Sequence, residues 1–205
     1  IGPCRLTYGF TAAAGTIVRK DELRRDRLIF GGGYKYGSMK FTPGKYTGVK
    51  RILQNNVNYI ANMLALEQWY HDVRSRFYGS RFPEALHEGL CANIRSAVVE
   101  RTKRFDVFCR QQADAQGQSD IDGWWPEVAS LYVPNPATRS DPALKQTFLK
   151  GLENAISQKG NNYLQVIHSL DGQARKAGTG WLQSMVDSCF EDSSAKIPSL
   201  TTASQ

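Results

Sequence analysis

From Pro43 to Pro83 the chain runs without a proline, and its apolar residues Val49, Ile52, Leu53, Val57, Ile60, Leu64, Trp69 and Val73 recur at steps of three and four. A pattern of that period gathers into one stripe only as an α-helix, so residues 45–76 are predicted helical. Gly79, Ser80, Arg81, Phe82 and Pro83 make the break, because glycine ends helices and proline suits a first turn. A second helix is predicted over residues 83–116, with Leu86, Leu90, Ile94, Val98, Phe105 and Phe108 along one side. Two long helices joined by so short a turn are expected to pack antiparallel.

The loop at residues 117–141 holds Asp120, Asp122, Gly123, Trp124 and Trp125 and is expected to wrap the helices, with the tryptophans as anchors. Ser140, Asp141 and Pro142 signal a helix start, which predicts a third helix to Gln158. A fourth is predicted over residues 163–189, weakened by Gly172, Gly178 and Gly180 and open to division into two pieces there. The fold class is therefore mainly α: a bundle of about four long helices within a domain at 45–192, containing a hairpin at 45–116 and helices at 142–189. Residues 193–205, rich in Ser and Thr, are expected to be a flexible tail.

The first thirty residues follow another rule. They are small, rich in Gly and Ala, and β-prone. Read in sixes from Leu6, they place Leu6, Ala12 and Val18 at one recurring position and Gly9 and Gly15 at another. That is the period of a left-handed parallel β-helix, in which a small aliphatic side chain points inward from each flat side.

The stretch Ala12, Ala13, Ala14, Gly15, Thr16, Ile17, Val18, Arg19, Lys20, Asp21 resembles the segment that closes the β-helix of bacterial sugar-nucleotide acyltransferases, as in glucosamine-1-phosphate acetyltransferases. A group of long bacterial hexapeptide-repeat proteins of unestablished activity shares the same character. The likeness spans ten of 205 residues. Ala12 stands where the family has a large aliphatic residue, Thr7 where it has glycine, and the first step is one residue short.

The resemblance implies that residues 1–30 are the last coil of a β-helix, that residues 31–44 are a Gly-rich connector, and that further coils precede Ile1, since one coil cannot bury its own inner face. It implies a helical domain that caps the β-helix, a homo-oligomer (often a trimer in this family), and acyl or nucleotidyl transfer on a sugar nucleotide with catalytic residues upstream. The cofactor is left open between coenzyme A and a sugar nucleotide. In the family a main-chain amide in this segment meets the coenzyme, which matches Ala14 beside Gly15. Arg19 and Lys20 are the cations at the same rim. Where the family places an arginine for the coenzyme phosphates, this chain has Gly31, Gly32 and Gly33, which read as a hinge.

The formal charge of +7 arises in the first quarter: ten basic against three acidic residues in 1–50, nine against seven in 51–118, and seven against nine in 119–205. Such a patch suits a small phosphorylated ligand. Tyr34, Lys35, Tyr36, Lys40, Phe41, Lys45 and Tyr46 interleave rings and cations as single-stranded nucleic-acid binders do, but a covering for a subdomain junction explains the pattern better. A non-catalytic helical interaction module is the other competing class.

Glu67, His71, His87 and Glu88 would meet at one end of an antiparallel hairpin, where an ion pair or a satisfied histidine is favoured over a metal site. Asp120, Ile121, Asp122 and Gly123 carry only half of a calcium loop. Cys4, Cys91, Cys109 and Cys189 are widely spaced and predict reduced thiols and a cytoplasmic setting. No apolar run or leader pattern predicts a membrane partner.

Overall fold

The computed structural model describes residues 4–32, 35–44, 46, 48–116 and 140–196, with side chains to Gln112 in the long second helix. It divides into two compact units, residues 1–47 and 48–205.

In the first unit, strands β1 (Thr11–Ala12), β2 (Arg27–Phe30) and β3 (Gly37–Lys40) form one sheet in that order. β1 and β2 run parallel, with Thr11 beside Leu28 and Ala12 beside Ile29. Parallel neighbours need a crossover, usually a helix. Here the crossover contains no helix; it is extended chain and turns.

The same spacing recurs at other points of this winding. Gly9 (φ 89°) and Asp26 (φ 54°) turn left-handed corners seventeen residues apart. A side chain on Gly32 would fall 2.5 Å from the carbonyl oxygen of Gly15, again seventeen residues earlier. One side back, Leu6 bridges Glu22 in parallel, and one side on, the Ile17 amide donates to the Gly31 carbonyl at 2.7 Å. Val18 and Ile29 are buried. Ala12, expected inside, is exposed, although it lies in register with buried Ile29.

The stretch read as a connector supplies β3. It pairs antiparallel with β2, Arg27 opposite Lys40 and Phe30 opposite Gly37. Gly37 permits this approach, since a Cβ there would lie 2.4 Å from the Phe30 ring.

The second unit contains α1 (Val49–Asp72), α2 (Glu84–Gln116), α3 (Pro142–Lys159), α4 (Tyr163–Ser169) and α5 (Gly172–Lys196). α1 starts four residues later than expected, after Gly48, and gives way at Asp72 to a tight 3-10 turn over Arg74–Arg76. Gly79 and Phe82 exchange main-chain hydrogen bonds at 3.1 Å to close the hairpin. Tyr70 meets His87, Glu67 meets Arg95 and Tyr59 meets Arg101, so α1 and α2 run antiparallel.

Asp141 caps α3, its carboxylate accepting from the amides of Ala143 and Leu144 at 2.8 and 3.1 Å. The predicted fourth helix is two helices. The break is a cap rather than a glycine weakness: Leu170 turns extended, and Asp171 Oδ1 accepts from the Ala174 amide at 2.7 Å to start α5. α5 runs through residues 193–196, the start of the stretch expected as a flexible tail, and Ser193 is buried there with its hydroxyl donating to the Cys189 carbonyl.

α5 packs against both α1 and α3, and two apolar clusters flank it. Leu53, Val57, Ile60 and Leu64 join Val98 and Phe105 in one; Phe148, Leu152, Val166, Trp181 and Met185 build the other. Leu86, expected on the apolar side of α2, is exposed.

Candidate functional site

The rim residues named from the sequence lie on the turn that follows β1. The Thr16 amide donates to the Ala13 carbonyl at 3.1 Å, which closes a turn around Ala14 and Gly15. Gly15 holds φ 75°, a left-handed conformation that glycine adopts without strain. Ala14 and Gly15 are exposed, and the Ala14 amide donates to no acceptor among the described residues. Arg19 and Lys20 are exposed nearby in sequence, and the Lys20 ammonium lies 5.9 Å from the centroid of Tyr36. Chemically this is an unshielded amide with two cations, able to accept an anionic oxygen.

Part of the basic excess is committed to contacts within the first unit. Asp21 accepts from the Arg5 amide and from Arg5 Nε, both at 2.8 Å, and these bonds hold its carboxyl below the usual range. Glu22 is buried to 5% side-chain exposure. Arg24 Nε and Nη2 each donate to it at 2.8 Å, and the Ser38 hydroxyl donates at 2.7 Å. Those Arg24 bonds, with Ser38 second, hold its pKa down at about 2. Arg27 donates to the Ser38 hydroxyl at 2.8 Å and to its carbonyl. Of the knot Arg24, Arg25 and Arg27, two therefore tie β2 to β3, and Gly32 is required by its approach to Gly15 rather than by a hinge.

In the helical unit Glu67, His71, His87 and Glu88 do not assemble into one site. Glu67 pairs with Arg95, while His71 lies exposed with Nδ1 3.0 Å from Asp72 Oδ1. Asp72 also accepts from Lys145 at 2.6 Å and from Gln68. Burial raises its pKa, but the bonds from Lys145, Gln68 and His71 outweigh that and leave it lowered.

His87 is buried among the rings of Tyr70, Tyr78 and Phe82. Its Nε2 lies 3.0 Å from the Tyr70 carbonyl, which can only accept, so Nε2 carries the proton and Nδ1 accepts from the Tyr78 hydroxyl at 3.1 Å. Nε2 then has no lone pair for the Cys91 thiol 3.6 Å away, and burial raises that thiol's pKa. A Cys-His nucleophile does not arise here. Among the described residues no group of three His, Cys, Asp or Glu side chains could hold a metal ion. The half calcium loop at Asp120 and Asp122, and the tryptophans Trp124 and Trp125, lie outside the described residues.

One feature had no sequence signal. A cleft of about 880 Å³ opens between α1, α4 and α5, floored by Phe148 and Gly178 and walled by Leu66, Trp69, Ile167 and Leu182. His168, read as structural, is exposed and lies along it with Arg175.

Among the described residues no helix is long and apolar enough to cross a membrane. Compared with known proteins, the chain matches no family model, no curated protein and no solved structure.

Proposed function

We propose that residues 5–32 are the terminal coil of a left-handed parallel β-helix in a hexapeptide-repeat, transferase-like protein. The observation that carries this reading is helix-free parallel pairing at sixteen to seventeen residues, near the eighteen of three six-residue sides: Leu6 with Glu22, Thr11 with Leu28 and Ala12 with Ile29, beside the corner pair Gly9 and Asp26 and the contact of Gly15 with Gly32. Helix-free parallel winding of that kind is how a β-helix is built. The resemblance of residues 12–21 to the closing segment of sugar-nucleotide acyltransferases supports the same view.

On this reading the whole protein serves acyl or nucleotidyl transfer on a sugar nucleotide. The Ala14 amide, Gly15, Arg19 and Lys20 form a rim that meets phosphate oxygens of coenzyme A or of the nucleotide, and the reacting groups come from elsewhere in the protein. The helical unit serves assembly, as a homo-oligomer and most simply a trimer. The wide spacing of the cysteines supports a cytoplasmic setting.

Calorimetric titration of the whole protein with coenzyme A and with a UDP-sugar tests the ligand. Binding that weakens in an Arg19→Ala, Lys20→Ala variant is the expected result, and binding of neither compound removes the transferase reading. Ala12→Lys tests the coil: beneath a stacked neighbour the lysine unfolds the segment, whereas a tolerated lysine speaks against the β-helix.

A further inference from the structure

We propose that the cleft between α1, α4 and α5 binds an amphiphile with a long apolar body and a single carboxylate head, of the chemical class of a medium- or long-chain fatty acid. This site lies wholly within the helical unit and does not depend on the reading of the first unit.

Size and lining come first. A volume of about 880 Å³ falls within the roughly 300–1,000 Å³ typical of small-molecule sites, which in bundles form between helices. Leu66 and Trp69 from α1, Ile167 from α4 and Leu182 and Val186 from α5 make its walls apolar over several turns. A chain of methylenes fits such walls without needing any polar partner.

Charge selects the head group. Among the described residues no Asp or Glu lines the cleft, and Arg175 is the only permanent cation there. The Arg175 Nη2 donates to the His168 carbonyl, which pins the guanidinium at the cleft. Arg175 is exposed, and its remaining N–H groups have no carboxylate partner among the described residues. A planar fork with free donors suits one carboxylate in bidentate fashion. Thr179 and Gln183 follow at one-turn steps on the same wall, and Asp187 steadies the Gln183 amide at 2.8 Å. One cation among apolar walls matches one negative charge. A nucleotide or polyphosphate would leave most of its charge unmatched there.

The test titrates the full chain with dodecanoate and with 1-dodecanol, both below their aggregation limits, by calorimetry and by tryptophan emission. Arg175 and Leu66 are exposed, so Arg175→Gln and Leu66→Glu leave the fold intact, and circular dichroism checks this. Dodecanoate is expected to bind once per chain. Arg175→Gln should weaken the acid about tenfold to a hundredfold, as loss of hydrogen bonds to a charged group does, and leave the alcohol unchanged. Leu66→Glu should weaken the acid more than the alcohol. No binding of either compound, or an acid-to-alcohol ratio that Arg175→Gln does not move, overturns the proposal. So does a light-scattering mass that drops to the monomer in Leu66→Glu while neither form takes up dodecanoate, since the cleft is then a contact between copies.

Discussion

Replacing Gly178 with alanine sets two opposed effects against each other. In a helix interior the change ordinarily gains about 0.5–1 kcal/mol, because glycine loses more backbone freedom on folding. At this position the new Cβ would stand 2.6 Å from Phe148 Cδ2 and 2.9 Å from Cε2. The ring cannot retreat easily: it is buried, with the Trp69 ring at 5.6 Å and the Trp181 ring at 5.7 Å. Overpacking of this kind costs about 1–3 kcal/mol, so Gly178→Ala should destabilise by about 1–2 kcal/mol. Thermal unfolding followed by circular dichroism should then show a melting point lower by roughly 2–6 °C. Gly89 in α2 supplies the control, since a Cβ there meets nothing within 4 Å. Gly89→Ala should raise the melting point by roughly 2–3 °C. In a Phe148→Leu background most of the Gly178→Ala penalty should vanish, as expected of coupled neighbours. A Gly178→Ala protein that melts at or above the parent temperature would refute the close crossing of α3 and α5.

Three further outcomes follow from named contacts. The Glu22 carboxyl sits at about 2 in the fold against an ordinary 4.5. Its contribution is therefore complete above that ordinary value and is lost as pH falls toward 2; amide exchange in the first unit should accelerate across this window, and Glu22→Gln should flatten the response. Asp171→Ala removes the cap of α5 and should cost about 1 kcal/mol, read from urea denaturation. Gly32→Ala sets a methyl against the Gly15 carbonyl and should raise hydrogen exchange at the Ala13 and Ile17 amides while leaving the helical unit unchanged.

The helices were legible where a residue acts on its own neighbours. Pro83 and Gly79 set the hairpin, and Asp141 with Pro142 set the start of α3, because caps and turns are settled within a few residues. Asp171 carries the same kind of signal, but the glycine after it drew the reading toward weakness. Gly151, Gly178 and Gly180 look like flaws in a helix until the partners are known: Ala174, Phe148 and Leu144 lie within 3.0 Å of where their Cβ atoms would be. β3 reads as connector in the sequence because its strand character depends on pairing with β2, which comes from another segment. Ala14, Gly15, Arg19 and Lys20 are singled out only by the resemblance of ten consecutive residues, and they remain part of the proposal. The cleft was not, since its walls come from residues 62–69 and 167–186, and only folding makes them neighbours.

Strand β1 has one neighbour in the sheet, so Thr11 and Ala12 present one side of their backbone to no strand among the described residues. An unpaired edge is a template for another chain. Preparations of this polypeptide alone should therefore turn cloudy or form filaments as concentration rises, from the first unit rather than the helices.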